Sequence, residues 1–244
     1  MKGKAKEVRS RTAIQLRVPE VCRPNATREG QVNETIQEYI EGIYRLQEEV
    51  GRVATNEVAQ YMGVSPASAS IMLKRLAELG FVEHTPYRGI LLTEEGRNLA
   101  QGLLRIHRLT ERLLTDIIGL PWNDVHDFAC KLEHYIAPEI ADKIAAALNY
   151  PSTCPHGNPI DPTVDDGSWR LSDAEAGMEL LVIKITDERR EFLEYIEQLQ
   201  LVPGAQVEVM NRTPFDGLIQ INVDGMQHTI GPEVARYVWV REAK

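Results

Sequence analysis

Residues 56–93 read NEVAQYMGVSPASASIMLKRLAELGFVEHTPYRGILLT. A short helix over Asn56 to Met62, a turn at Gly63-Val64, and a second helix opened by Ser65 as N-cap with Pro66 at its first position follow helix-turn-helix grammar. Gly80 ends the second helix. Beyond it, Phe81 to His84 and Gly89 to Thr93 alternate around Pro86-Tyr87-Arg88 as a small hairpin does. A hairpin placed directly after a helix-turn-helix is the wing of a winged helix. Upstream, residues 34–50 (ETIQEYIEGIYRLQEEV) set Ile36, Tyr39, Ile40, Ile43, Tyr44 and Leu46 at helical spacing, so the folded part begins there. The second helix would meet DNA through Ser65, Ala67, Ser68, Ser70 and Lys74. These small or hydroxylated side chains permit close approach and phosphate contact but carry little base code, so readout leans on DNA shape and the thymine methyl. Arg75 and Arg88 would add backbone contacts. The competing reading of Arg75 is an ion pair with Glu78 or Glu41.

Downstream of the wing, Thr93 caps a long helix reaching to about Ile118, and Gly119-Leu120-Pro121 ends it. A helix over roughly Asn123 to Tyr135 and another over Pro138 to Leu148 complete a helical layer suited to dimerisation. These helices carry His107, Glu111, His126, Cys130, Glu133 and His134. At about 100° per residue, Cys130, Glu133 and His134 share one face, with His126 a turn earlier, and His107 and Glu111 form an i,i+4 pair. Imidazole, thiolate and carboxylate together suit Fe²⁺, Mn²⁺, Co²⁺ or Zn²⁺. Any one of these residues alone is more often a packing residue. Jointly they are hard to bury without a partner, because an unpaired buried carboxylate is costly. Cys154 and His156 have the spacing of a metal pair, but beside Pro155 and Gly157 they read as a turn.

Residues 151–171, rich in proline with an Asp-Gly turn, read as a linker. From about Ser172 the period changes. Glu179 to Thr186 resembles a strand, Glu188 to Leu199 a short helix, and Gln206–Met210, Leu218–Val223, Gln227–Ile230 and Val238–Val240 further strands divided by Gly-containing turns. That is the size of an SH3-like barrel. The expected fold is α+β. A basic, disordered arm (1–33) precedes a winged helix (34–98), a metal-binding and dimerisation layer (99–150), the linker (151–171) and the SH3-like domain (172–244).

The net charge of −9 is uneven: residues 1–33 hold eight Lys/Arg against three Glu, a local +5, which leaves −14 for the rest. Such an arm could track phosphates, although an inert tail is an equal reading. Three scattered cysteines, Cys22, Cys130 and Cys154, fit a reducing compartment better than a disulfide framework. With no apolar run long enough to cross a bilayer and no signal-peptide pattern, the expectation is a cytoplasmic protein without a membrane partner. A metallohydrolase is disfavoured because no HExxH or comparable element occurs. A winged-helix regulator sensing a small effector, or oxidation of Cys130, with a structural metal, stays as the alternative.

The stretches RIHRLTERLLTDIIGL (105–120), VHDFACKLEHYI (125–136) and CPHGNPIDP (154–162) carry a resemblance to the diphtheria toxin repressor family of iron- and manganese-dependent repressors, over about residues 34–240. The resemblance implies a metal-activated repressor of metal-homeostasis genes that binds a palindromic operator as a homodimer. It implies an ancillary site of His107, Glu111 and His126 with Glu188 and Glu191 from the SH3-like domain. A primary site of Glu38, Cys130, Glu133 and His134 is implied too. Here the chain mixes subtypes: Cys130 is iron-like, whereas Glu38 and Glu41 are manganese-like. A thiolate favours Fe²⁺, Co²⁺, Ni²⁺ and Zn²⁺, and added carboxylates favour Mn²⁺. The ancillary set and the SH3-like domain tilt the expectation to Fe(II) over Mn(II), with Co(II), Ni(II) or Zn(II) able to substitute in vitro.

Overall fold

The computed structural model describes residues 32–85, 89–214 and 217–243. The basic arm, apart from its last two residues, and the wing tip with Arg88 lie outside the described residues.

Helix α1 (Glu34–Val50) buries Ile36, Tyr39, Ile40, Ile43 and Tyr44, the stripe its spacing predicts. Helices α2 (Thr55–Tyr61) and α3 (Pro66–Glu78) follow. At the start of α3 the Ser65 hydroxyl accepts the Ser68 amide at 3.1 Å, which satisfies one of the free N-terminal donors. Ala69, Leu73 and Leu76 fix the inner face of α3. Strands β1 (Val82–Thr85) and β2 (Gly89–Leu92) pair antiparallel, Val82 opposite Leu92. The Val53–Ile90 bridge ties this hairpin to the turn after α1. A winged helix-turn-helix results.

Thr93 caps α4 (Glu94–Leu113), with Oγ1 accepting the Gly96 amide at 3.1 Å. A Cβ at Gly96 would stand 2.1 Å from the Phe81 carbonyl oxygen, so only glycine lets α4 leave the wing this closely. The sequence predicts one helix to about Ile118. The structure instead widens the last turn into a π-helix, Leu114–Ile118, closed by Gly119 at φ 82°. Helix α5 (Val125–Leu132) then tightens into a 3₁₀ turn, Glu133–Tyr135, and α6 (Pro138–Ala147) opens on proline.

The segment expected as a linker is packed in its first half. Cys154 and Ile160 are buried with Ile106, Leu109, Ala141 and Ala145 of α4 and α6. Two backbone bonds, Cys154 N to Asn158 O and Ile160 N to Ser152 O, both 2.8 Å, close it into a compact loop. Proline content misleads here because the prolines flank buried side chains.

Strands β3 (Trp169–Arg170), β4 (Glu179–Ile185), β5 (Gln206–Arg212), β6 (Ile219–Val223), β7 (Met226–Ile230) and β8 (Val238–Glu242) form an antiparallel sheet in the order β3-β8-β4-β5-β6-β7. Leu180, Val182, Val207, Val209, Ile219, Ile221 and Val240 face one core, covered by Leu193 and Ile196 of α7 (Arg190–Gln198). Helix α8 (Pro232–Ala235) leads into β8. Sequence reading misses β3 and α8 because neither is long enough to show a period. Glu188, expected on a helix with Glu191, instead lies in the segment between β4 and α7, outside helix and strand.

Candidate metal centre

Helix α4 is buried along its middle, and His107 and Glu111, one turn apart, have no solvent exposure. His107 lies between two carboxylates: Nδ1 is 2.6 Å from Glu133 Oε2 and Nε2 is 3.0 Å from Glu111 Oε1. Helix α5 brings His126 Nδ1 to 3.2 Å from His107 Nε2, and Cys130, one turn on, places Sγ 3.5 Å from His126 Nε2. Glu188 reaches in from the segment between β4 and α7, its Oε2 3.2 Å from His126 Nδ1. From the loop after α6, His156 Nδ1 stands 3.2 Å from Glu111 Oε1 and 3.6 Å from Glu188 Oε1, with Cys154 Sγ at 3.8 Å.

Among the described residues, four groups of donors have their ligating atoms within 4.8 Å of one another: His107, His126 and Cys130; His107, Glu111, His126 and Glu188; Glu111, Cys154, His156 and Glu188; and Glu34, Glu38 and His134. The first three share members and form one buried centre. Glu38 is placed with Glu34 and His134, and no group joins it to Cys130 among the described residues. Glu133 faces His107 and stands 3.6 Å from His134 Nε2, so it borders both ends of the implied primary set. Glu191 is exposed on α7 and belongs to none of the groups.

Surrounding atoms aim the imidazoles. His156 Nε2 donates to the Trp122 carbonyl at 2.7 Å, which leaves Nδ1 facing the donors. His134 Nδ1 similarly lies 2.7 Å from Gln37 Oε1, leaving Nε2 on the side of Glu133 Oε1 at 3.6 Å. Glu111 Oε2 is buried without a hydrogen-bond partner. A buried, unpartnered carboxylate oxygen on a residue whose other oxygen meets His107, His126 and His156 fits a cation better than it fits packing.

Without a cation, the site balances charge internally. Burial pushes Glu111 up, but His156 and His107 outweigh it and hold the carboxyl well below its ordinary value. Glu188 is lowered the same way, by Arg45, His126 and His156 against burial. Burial works against charge on His126, yet bonds to Cys130, Glu111 and Glu188 push it up to about 11. His107 and His156 are raised well above the ordinary value for the same reason. For Cys130, burial is overcome by His107 and His126 and the thiol is lowered, whereas burial and Glu111 raise Cys154. Glu133 is raised, first by burial.

On the DNA-reading helix, Ser65, Ala67, Ser68, Lys74 and Arg75 are exposed and Ser70 is half-buried. Arg75 lies 3.6 Å from Glu78, both largely solvated. Sequence reading misses Ile71 and sets Cys154 and His156 aside as a turn. Ile71, 71% exposed on the same face, reads as a core residue in an apolar count. Cys154 and His156 have ligand spacing, but their company on Glu111 and Glu188 needs the three-dimensional fold.

A winged helix joined to a helical layer that buries imidazole, thiolate and carboxylate donors defines a class of metal-responsive DNA-reading proteins. The comparisons narrow it. Residues 31–90 match the model "Iron dependent repressor, N-terminal DNA binding domain", 93–162 match "Iron dependent repressor, metal binding and dimerisation domain", and 169–242 match the FeoA domain. The chain is 33% identical over 226 residues to the iron-dependent repressor IdeR of Mycobacterium tuberculosis, covering 86% of this chain and 97% of that protein. It is 30% identical over 225 residues to the diphtheria toxin repressor of Corynebacterium diphtheriae, with the same coverage. A manganese-dependent transcriptional repressor solved with manganese superposes with TM-score 0.79 at 31% identity, over 85% of this chain and 99% of that one. The repressor ScaR with bound Zn²⁺ gives 0.77 at 26%, over 87% and 100%. The chain belongs to the iron-dependent repressor family.

Proposed function

We propose that this protein is a transcriptional repressor that binds double-stranded operator DNA as a homodimer when a divalent transition metal occupies the buried centre, and that it is not an enzyme. One observation carries the reading: donors from α4, α5, the 154–160 loop and the segment before α7 converge on Glu111, whose second carboxylate oxygen is buried without a partner. A bound divalent ion would supply the positive charge that the imidazolium groups otherwise provide and would cross-link those four elements. The residues holding it are His107, Glu111, His126, Cys130 and Glu188, with Cys154 and His156 adding a second pair of donors. Glu133, Glu38 and His134 form the border toward α1. The expected Glu191 contribution has no support from its exposed position.

Among metals, Fe(II) is favoured over Mn(II). Cys130 Sγ is a soft donor inside the His107–His126 group, and Glu41, the manganese-like carboxylate, is engaged by Arg45 at 2.9 Å. For the dimer, Phe128, Leu132, Tyr135 and Ile140 leave a half-exposed apolar face along α5 and α6. DNA contact is assigned to Ser65, Ala67, Ser68, Ser70, Lys74, Arg75 and the wing's Arg88. No helix among the described residues is long and apolar enough to cross a membrane. Selection of duplexes from random DNA by the purified protein, with and without Fe(II) or Mn(II), tests the reading. Enrichment of a two-fold symmetric sequence only with metal is expected, and none under any condition refutes it.

A further inference from the structure

The winged helix reaches the donors that surround Glu111 and Glu188 through a side chain of α1. Arg45, on α1, donates from Nη1 to Glu188 Oε2 at 3.0 Å. That same oxygen stands 3.2 Å from His126 Nδ1, and the other, Oε1, accepts from Asn158 Nδ2 at 3.0 Å. The rest of the guanidinium is occupied by its own helix: Nε and Nη2 lie 3.0 and 2.9 Å from Glu41 Oε1. Arg45 is therefore a strut with one end on α1 and the other on a candidate metal ligand supplied by the segment between β4 and α7.

We infer that Arg45 is a positioning residue that holds the Glu188 carboxylate in the metal cluster and thereby couples the centre to the orientation of the DNA-reading head. The inference rests on the reading of the chain as a metal-activated repressor. Three physical points support it. First, Glu188 is 5% exposed on a stretch outside helix and sheet, so its side chain is fixed by partners and not by a regular element. Second, breaking a buried ion pair is costly, and without Arg45 the Glu188 carboxylate keeps only its His126, His156 and Asn158 partners and is held less firmly. Third, α1 is packed through Ile40 and Ile43, both wholly buried, so a pull on Arg45 moves the head as a body. A planar fork is needed to meet two carboxylates from different elements, which a lysine ammonium does less well.

The test compares the full-length protein with Arg45→Met and Arg45→Lys. Three quantities are read: Co(II) affinity by competition with a chelator, DNA affinity with and without metal on a duplex selected by the wild type, and amide exchange of residues 186–190 in metal-free protein. Arg45→Met should speed exchange of that segment by about 10-fold or more. It should also shrink the metal-induced gain in DNA affinity by about 5-fold or more, the low end of typical site-to-site coupling. Metal-free DNA affinity should stay within about 2-fold of wild type, because the Arg45 guanidinium is engaged by Glu41 and Glu188 and is not among the assigned DNA contacts. Arg45→Lys should fall between, and it carries the test if the Met variant fails to fold. Unchanged exchange together with an unchanged gain would overturn the inference. If the wild type itself shows no metal-induced gain, the functional reading fails, and the exchange of 186–190 still decides whether Arg45 fixes Glu188.

Discussion

Glu133 Oε2 and His107 Nδ1 lie 2.6 Å apart in a wholly buried contact that bridges α4 and the 3₁₀ turn after α5. Family resemblance assigns these residues to two different metal sites, yet they are direct neighbours. Occupancy at one end of the centre therefore changes the partner of a ligand at the other. Glu133→Ala would strip His107 of an acceptor in a dry position, which should cost about 1–3 kcal/mol by denaturant unfolding. The folded variant should also lose metal-stimulated DNA binding. Full stimulation in this variant would remove Glu133 from the centre.

Metal affinity should rise with pH. Imidazoles must be neutral to ligate, and His107, His126 and His156 hold their protons strongly in the metal-free protein. The sign for stability is separate. A raised histidine stabilises the metal-free fold below its unfolded value of about 6.5, and that contribution disappears as pH climbs through the folded value, about 11 for His126. The lowered Glu111 and Glu188 act the other way, stabilising above about 4.5 and ceasing to do so as pH falls through their depressed values. Calorimetry in two buffers of different ionisation enthalpy should show proton release on metal binding; heats independent of buffer would contradict the charge assignment.

Ile71 should read a thymine methyl. It projects 71% exposed from α3 on the face that carries Ala67, Ser68 and Lys74, and the C5 methyl is the apolar mark of the major groove. Replacing thymines of a selected duplex by deoxyuridine, one at a time, should weaken wild-type binding at one or two positions by several-fold. Ile71→Ala should be indifferent at those positions. Equal sensitivity of both proteins to every replacement would place the side chain away from the bases.

Gly157 should tolerate no side chain. Its φ is 86°, and a Cβ would stand 2.1 Å from the Ile183 carbonyl oxygen, where the loop bearing Cys154 and His156 docks on β4. Gly157→Ala should cost about 3 kcal/mol or more, from backbone strain and overpacking together. Gly102→Ala, in open space on α4, should instead gain up to about 1 kcal/mol. Thermal melts of the two variants moving in the same direction would show the docking to be looser than the geometry implies.

Much of this was legible in the chain because periodicity and caps are local. Ser65-Pro66 and Thr93 start helices where expected, and the alternation around Gly89 and from Glu179 onward marks real strands. The i,i+4 pair His107 and Glu111 is likewise a local signal. What was not legible depends on contacts between distant segments. Arg45 and Glu188 are 143 residues apart, and nothing near either one announces the other. The buried loop at 154–160 was hidden by its prolines, and nothing local to Ile71 marks it as exposed. The sharing of Glu111 between His107 and His156 follows only from where α4 and the loop are packed.

The most direct test strips the full-length protein with chelator and titrates it anaerobically with Fe(II), and separately with Mn(II), while recording retention of genomic DNA fragments. Retention that appears only with metal, at lower free Fe(II) than Mn(II), is the expected result. Retention unaffected by either ion, or absent with both, would contradict the account and leave the buried donors a structural role.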